Sequence, residues 1–592
     1  MRPTSPQDAS KGPSEYTSGV ALPEADPEAA PTAAPNDSTT STPPSAAFHQ
    51  PMTGLPLYAI LISICIGSFL LSTDVFIIST AIPSITTTFH DTTLLPWYPA
   101  SYSLTTSTFL PLTGILPTLF PLAPIYQTFL LLFLAGSALC GAAPTVPVFI
   151  AGRALAGVGA AGVATAGLAV VLAVTPPGMR AMGLGMVSGA FALGVVLAPV
   201  VGGAFAERGE WRWAFWVNLP VGAVTVGCMV LFFRGRGERG QKGALWERVR
   251  RVDFVGGALL VPACFLVLLA MQWGGVKYPW RSGMVIGLFA GGGLLLVAFI
   301  VWERHMGDHA LIPGSVVRRR AVALGCAFAF CQMGGLAVMS YYLPEWFQAV
   351  QGVGPMESGV RVLPSVISQI VGIVVVGAFA VRARFYNPWL FVGSTLMCIA
   401  AGLYTTFTAF NTPSRAWIGF QILQGLGVGL TMQVSTLILQ QELEGSPLLP
   451  VGVSLGLFSQ YLGATVSQVV AGSIFNTSLR RAFSEAGLGE EQVGLLLQSG
   501  TAHVRQAVET AFPDLLVPVL DAYNFAISRV YFVPVVTSVV AFVVASFLRW
   551  RRIEGDKAEN NQSHEPQADD QGVAKYVASE MRGGGEAKMV GA

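Results

Sequence analysis

Charge is scarce in this chain. Of 592 residues only 11% are Asp, Glu, Lys or Arg, against 52% hydrophobic, and the mean hydropathy is +0.58. Soluble domains carry about 25% charged residues, so this composition belongs to a polytopic membrane protein. The charges nearly cancel, to +1 with a pI of about 7.6, which leaves no electrostatic footprint for nucleic acid. Six histidines, His49, His90, His305, His309, His503 and His564, form no metal pair inside an apolar run, although His305 and His309 have helical i, i+4 spacing in a polar loop. No G-x-x-x-x-G-K-S/T run is present, so ATP is not the direct fuel. The seven cysteines all lie in apolar segments without metal spacing and read as small packing residues, not a disulfide framework. Neither a metal, a cofactor nor an enzyme's nucleophile–base set is expected. No cleavable signal peptide is expected either. Residues 1–56 are rich in Pro, Ser, Thr, Ala and Asp and read as a disordered tail, and the apolar run from Leu57 is too long for a signal-peptide core.

Long apolar runs fill the rest. About 20 predominantly apolar residues make a bilayer-crossing helix. Such runs fall near 57–82, 97–119, 123–143, 147–173, 181–205, 213–233, 253–272, 283–302, 321–343, 359–381, 386–408, 416–439, 448–475 and 531–549, about fourteen spans. Basic residues cluster in alternate loops: Arg234, Arg236, Arg239 and Lys242 after the sixth span, Arg318 to Arg320 after the eighth, Arg382 and Arg384 after the tenth, and Arg551 and Arg552 at the end. The positive-inside rule then places both termini in the cytosol. Residues 476–530 become an extracytosolic loop, expected to rest on the membrane as an amphipathic cap, and 551–592 a disordered cytosolic tail. Trp97, Trp211, Trp213, Trp280 and Trp346 read as interface anchors.

Two charges sit deep in these runs. Arg153 lies in F-I-A-G-R-A-L-A-G-V-G, and Asp74 in F-L-L-S-T-D-V-F-I-I. An arginine inside a span costs roughly 2.5–3.5 kcal/mol on insertion scales, so it faces a cavity or a partner. At 1.5 Å per residue, Asp74 lies roughly 12 Å and Arg153 roughly 9 Å below the outer boundary, which permits a pair. The later spans carry amides instead: Gln332, Gln369, Gln421, Gln424, Gln433, Gln460 and Gln468. Gln332, Gln421, Gln424, Gln433 and Gln460 are the candidates to line a cavity with Phe and Met, suited to weakly polar organic molecules. The plain alternative for each is a hydrogen bond to a neighbouring helix. A weak repeat aligns Arg153, Gly157 and Gly159 with Gln421, Gly425 and Gly427, as two parallel-related halves of a transporter would.

Several segments resemble the major facilitator superfamily, and within it the fourteen-span drug:proton antiporters of the fungal multidrug and toxin efflux type. They are L-S-T-D-V-F-I-I-S-T-A-I-P-S-I (Leu71–Ile85), R-A-L-A-G-V-G (Arg153–Gly159), G-V-V-L-A-P-V-V-G-G (Gly194–Gly203), W-R-W-A-F-W-V-N-L-P-V-G (Trp211–Gly222), M-Q-W-G-G (Met271–Gly275) and Y-Y-L-P-E-W-F-Q-A-V-Q-G-V (Tyr341–Val353). The resemblance covers roughly 57–550 and implies an all-α fold of two six-helix bundles, 57–233 and 303–550, with two inserted helices in 234–302. It also implies proton-driven export of hydrophobic small molecules, drugs or secondary-metabolite toxins by a monomer in the bilayer. Asp74 and Arg153 would carry the proton coupling, with proton and substrate competing for one carboxylate or its surroundings; the alternative is a static pair that orients helices. Gly189, Gly194, Pro199, Gly202 and Gly203 would form a hinge. Ala198 stands where the antiporter motif has glycine, and the loop after Gly114 lacks the charges that usually latch the halves. A specific solute, such as a siderophore or basic amino acid at the plasma or vacuolar membrane, is the competing cargo; a receptor would bind without flux.

Overall fold

The computed structural model describes residues 52–89, 97–176, 179–233, 245–250, 252–275, 278–307, 310–383, 385–444, 446, 448–489, 492–493, 496 and 504–550. Most of both expected tails, the basic run from Arg234 to Lys242, and His49, His90, His309, His503 and His564 lie outside them.

Among the described residues every regular element is a helix. The first third forms α1 (Leu55–Phe89), α2 (Trp97–Leu119), α3 (Leu122–Ala142), α4 (Val146–Val174), α5 (Arg180–Glu207), the single turn α6 (Trp213–Trp216) and α7 (Asn218–Phe233). After the short α8 (Leu245–Arg250) come α9 (Phe254–Trp273) and α10 (Gly283–Met306). Then follow α11 (Gly314–Val317), α12 (Arg320–Ala349), α13 (Pro355–Arg361), α14 (Leu363–Ala383), α15 (Asn387–Tyr404), α16 (Ser414–Glu442) and α17 (Leu449–Glu485). The chain ends in α18 (Val504–Ala511), α19 (Leu516–Val530) and α20 (Phe532–Ser546). Twelve of the described helical segments are long and apolar enough to cross a membrane. Two expected spans, α2 and α15, are helical but fall outside that set. Ser, Thr and two internal prolines dilute α2, and an Asn-Pro-Trp start with Ser394 and Thr395 dilutes the 18 residues of α15.

Helices α1 to α7 pack as one bundle, through α1 with α5 and α7, α3 with α4 and α7, and α2 with α4. A second bundle joins α12 with α17 and α20, α14 with α16, and α15 with α16 and α20. The pair α9 and α10 packs against α2, and the bundles meet mainly where α2 faces α17 and α5 faces α14. Glycines set the spacing. A methyl group on Gly159 would lie 2.3 Å from the Phe133 backbone nitrogen on α3, and one on Gly157 would lie 2.5 Å from the Tyr102 carbonyl oxygen on α2. In the second bundle a methyl on Gly427 would meet the Gly393 carbonyl on α15 at 2.7 Å, and one on Gly425 the Ser365 carbonyl on α14 at 2.0 Å. The two glycine pairs of the repeat therefore make the same pair of close helix contacts in each half.

The segment after Asn476 departs from the expected loop. Helix α17 continues through the Asn476-Thr-Ser478 sequon to Glu485, and α19 leads into α20. Val504, Val508, Val519, Tyr523 and Ile527 are buried in one cluster with Trp346, Phe347, Phe407 and Phe483. The cap's apolar face thus packs on the second bundle, because aromatic surface there is available to cover it. Trp346 and Trp211 are buried rather than interfacial; Trp346 Nε1 donates to Asn524 Oδ1 at 2.8 Å, and Trp211 Nε1 to Thr88 Oγ1 at 3.0 Å. Trp213 and Trp280 are exposed as expected of anchors.

Candidate functional site

Asp74 on α1 and Arg153 on α4 form a buried ion pair, 0% and 1% exposed. Arg153 Nη1 donates to Asp74 Oδ2, Nη2 to the Asp74 carbonyl oxygen at 3.5 Å, and Nε to the Tyr98 carbonyl oxygen on α2 at 3.2 Å. The guanidinium carbon stands 4.6 Å from the centre of the Tyr102 ring and 5.8 Å from that of Phe215. The other carboxylate oxygen, Asp74 Oδ1, accepts from Asn218 Nδ2 at 3.1 Å, and the same amide nitrogen donates to Ser137 Oγ on α3 at 3.3 Å. Two opposite charges out of water persist only when paired and hydrogen-bonded, and both conditions are met here. Five helices, α1 to α4 and α7, converge on this point.

Sequence reading missed Asn218 and Ser137. Asn218 lies in W-V-N-L-P, the motif segment that opens α7, and a polar residue at the head of an otherwise apolar helix was the available signal. Ser137, one hydroxyl within an apolar run, gave none.

The five hinge residues behave differently from one another. Helix α5 is continuous from Arg180 to Glu207 through Pro199. A methyl on Gly194 would lie 2.0 Å from Ser72 Oγ and 2.7 Å from the Phe69 carbonyl oxygen, so this glycine seats α5 directly on α1 beside Asp74. Gly189 and Gly203 have nothing within 4 Å of an added methyl, and Gly202 is buried. Of Gly189, Gly194 and Gly203, Gly194 alone makes the expected close approach.

Between the bundles lies a cavity of about 110 Å³. Its walls come from α1 (Ile64, Ser68, Leu71), α4, α5 (Ser188, Phe191), α12 (Met333), α16 (Met432, Gln433, Thr436) and α17 (Gln460, Tyr461). None of its described lining residues is charged. Asp74 and Arg153 do not reach it; Leu71, one turn before Asp74, does. Of the five candidate amides, Gln433 and Gln460 line the cavity. The other three tie helices together: Gln332 Nε2 donates to Thr431 Oγ1 and to the Val428 carbonyl oxygen at 3.4 Å, Gln421 Nε2 to the Arg361 carbonyl oxygen at 2.9 Å, and Gln424 Oε1 accepts from the Tyr404 hydroxyl at 2.7 Å. Gln421, aligned with Arg153 in the repeat, thus keeps one of its contacts, a bond to a backbone carbonyl beside the next helix. A larger open depression, about 660 Å³, lies at Trp211, Trp213 and Trp216, away from the ion pair.

One end of the cavity is closed by contacts between the bundles. Gln433 Nε2 donates to the Leu184 carbonyl oxygen at 2.8 Å and to Ser188 Oγ, both on α5. Arg180 at the start of α5 pairs with Glu444 beyond α16 at 3.2 Å, and Gly114 on α2 accepts the Ser454 side chain so closely that a methyl would lie 1.9 Å from its Oγ. Contacts between the bundles at Gly114–Ser454 and Arg180–Glu444 thus use residues other than the uncharged loop.

The sequence profile of the Major Facilitator Superfamily matches residues 64–468. The chain is 37% identical over 541 residues to the MFS-type transporter poxA of Penicillium oxalicum, covering 90% of this chain and 95% of that one. It is 35% identical over 505 residues to the rubrofusarin-specific efflux pump aurT of Gibberella zeae, covering 85% and 91%. Among solved structures, the proton:xylose symporter XylE bound to 6-bromo-6-deoxy-D-glucose superposes with a TM-score of 0.53 at 14% identity, over 83% of this chain and 96% of that one, a likeness of fold alone.

Proposed function

Because the chain belongs to the Major Facilitator Superfamily, as a multi-pass membrane transporter, we propose that it exports uncharged hydrophobic small molecules, secondary metabolites among them, in exchange for protons by alternating access. In this reading α2 and α15 complete fourteen spans, both termini are cytosolic, the protein works as a monomer in the cell membrane, and the two bundles rock about the cavity between them. One observation carries the mechanism: a buried, fully bonded Asp74–Arg153 pair stands apart from a cavity whose described walls carry no charge. Cargo and proton then occupy different places. They communicate through α1, whose Ile64, Ser68 and Leu71 touch the cavity and whose next turn holds Asp74. Protonating Asp74 cancels half of the pair and frees Arg153 to seek its remaining acceptors on α1 and α2, which changes how α1, α2 and α4 pack. Gly194, pressing α5 onto α1 at this level, passes that change to α5 and so to Gln433 across the cavity.

An uncharged wall of Phe191, Met333, Met432, Gln433, Gln460 and Tyr461 favours flat, weakly polar cargo. It gives a basic amino acid no carboxylate to pair with, which ranks that alternative lower. The efflux names of relatives such as the rubrofusarin-specific pump support the direction of transport.

Export of labelled hydrophobic toxins from pump-deficient yeast tests the proposal, comparing wild type, Asp74→Asn at matched surface expression, and wild type with a protonophore. Export is expected to fail in both of the latter. Export that survives both treatments overturns proton exchange at Asp74, and no export by wild type returns the specific-solute reading.

A further inference from the structure

Asn218 is fully buried at the head of α7 and holds the one oxygen of Asp74 that Arg153 leaves open. Its amide nitrogen spends both hydrogens, one on Asp74 Oδ1 at 3.1 Å and one on Ser137 Oγ at 3.3 Å. Its own carbonyl oxygen, Oδ1, is shut off from solvent and has no hydrogen-bond partner. A buried amide oxygen without a partner is costly.

We propose that Asn218 is a positioning residue for the proton on Asp74: an amide that serves the carboxylate with its nitrogen and, turned by half a rotation, serves the carboxylic acid with its oxygen. This rests on the proton-exchange role of Asp74. The donor and acceptor inventory is symmetrical. An amide NH2 offers two hydrogens, which the ionised carboxylate and the Ser137 oxygen accept; an amide C=O offers two lone pairs, which the acid's O–H and a rotated Ser137 O–H fill. Each orientation leaves one end of the amide without a partner, so the turn exchanges one orphan for the other and favours neither state by count. A leucine here would satisfy neither form of Asp74, and an aspartate would add a second titrating group.

The proton step is simple. A proton delivered by hydronium forms one O–H bond at Asp74 Oδ1 as one O–H bond of the hydronium breaks, leaving neutral water; no electrons are transferred, and release reverses it. The titratable and charged groups facing Asp74 are Arg153 from α4, Tyr102 from α2 and Cys140 from α3. Helix α5 presents Gly194, α6 presents Phe215 and α7 presents Asn218, none of them charged.

Dicyclohexylcarbodiimide, which modifies protonated carboxyls in apolar surroundings, reads the state of Asp74 without any cargo. Labelling of the full chain in lipid nanodiscs is followed at Asp74 by mass spectrometry across pH, for wild type, Asn218→Ala and Asn218→Asp. Both forms of Asp74 lose a hydrogen bond in Asn218→Ala, but the ionised form loses the stronger, charge-assisted one, which moves the midpoint to higher pH by about one unit. Asn218→Asp, equal in shape, splits the curve into two steps because adjacent carboxyls cannot both ionise. A midpoint in Asn218→Ala equal to wild type overturns the inference while leaving Asp74 as the exchanging group. Should that variant not fold, a single unshifted step in Asn218→Asp overturns it equally. Wild-type Asp74 that shows no pH-dependent labelling removes the exchange role itself, and the inference with it.

Discussion

Removing either partner of the Asp74–Arg153 pair should cost more than removing both. In Asp74→Ala the guanidinium loses its carboxylate oxygen and keeps only the Tyr98 and residue-74 carbonyl oxygens, inside a bundle where it is 1% exposed. Leaving a buried charge uncompensated costs about 3–5 kcal/mol. Arg153→Met leaves Asp74 with Asn218 as donor and with an escape the guanidinium lacks, since a carboxyl can take up a proton. Its cost should therefore be the smaller of the two, about 2–3 kcal/mol at neutral pH, and should shrink as pH falls. The double variant has an apolar pair in place of two charges and should lie within about 1–2 kcal/mol of wild type. The two single costs then exceed the double cost by at least ~3 kcal/mol, well beyond the ~0.5 kcal/mol scatter of independent sites. The assay is reversible unfolding of the four purified proteins in mixed micelles by titration with a denaturing detergent. Additive single effects would refute the reasoning, because they would mean that neither charge depends on the other for its burial.

The glycines separate by the same kind of argument. Gly159→Ala should destabilise the first bundle by more than about 2 kcal/mol, since its new methyl would meet Phe133 backbone atoms that cannot step aside, whereas Gly189→Ala should be tolerated within about 0.5 kcal/mol; thermal melts of both variants decide it. At the closed end, Glu444→Ala removes an ion pair whose members are 25% and 58% exposed, so stability should change by less than about 1 kcal/mol. A larger loss in melts at physiological salt would mean that this pair has taken over the latch that the uncharged loop after Gly114 lacks.

The order of apolar runs, the scarcity of charge and the spacing of Gly157 and Gly159 were legible in one dimension, because a bilayer demands long uncharged helices and a close helix contact demands residues without side chains. The same logic singled out Asp74 and Arg153: a charge inside an apolar run is too costly to be idle, and their similar depth permitted a pair. The sequence could not say that Gln332, Gln421 and Gln424 turn to neighbouring helices while Gln433 and Gln460 turn to the cavity, since an amide on a helix looks alike whichever way it faces. Nor could it bury Trp346 or the cap formed by α18 and α19, because amphipathic helices fit lipid and protein equally well until the covering surface is known. Asn218 and Ser137, 81 positions apart, become one site only when α3 and α7 meet beside α1. Composition and periodicity determined what kind of protein this is and where its charges lie; the tertiary structure decided what each polar side chain touches, because hydrogen bonds in a helical bundle are made between segments distant in sequence.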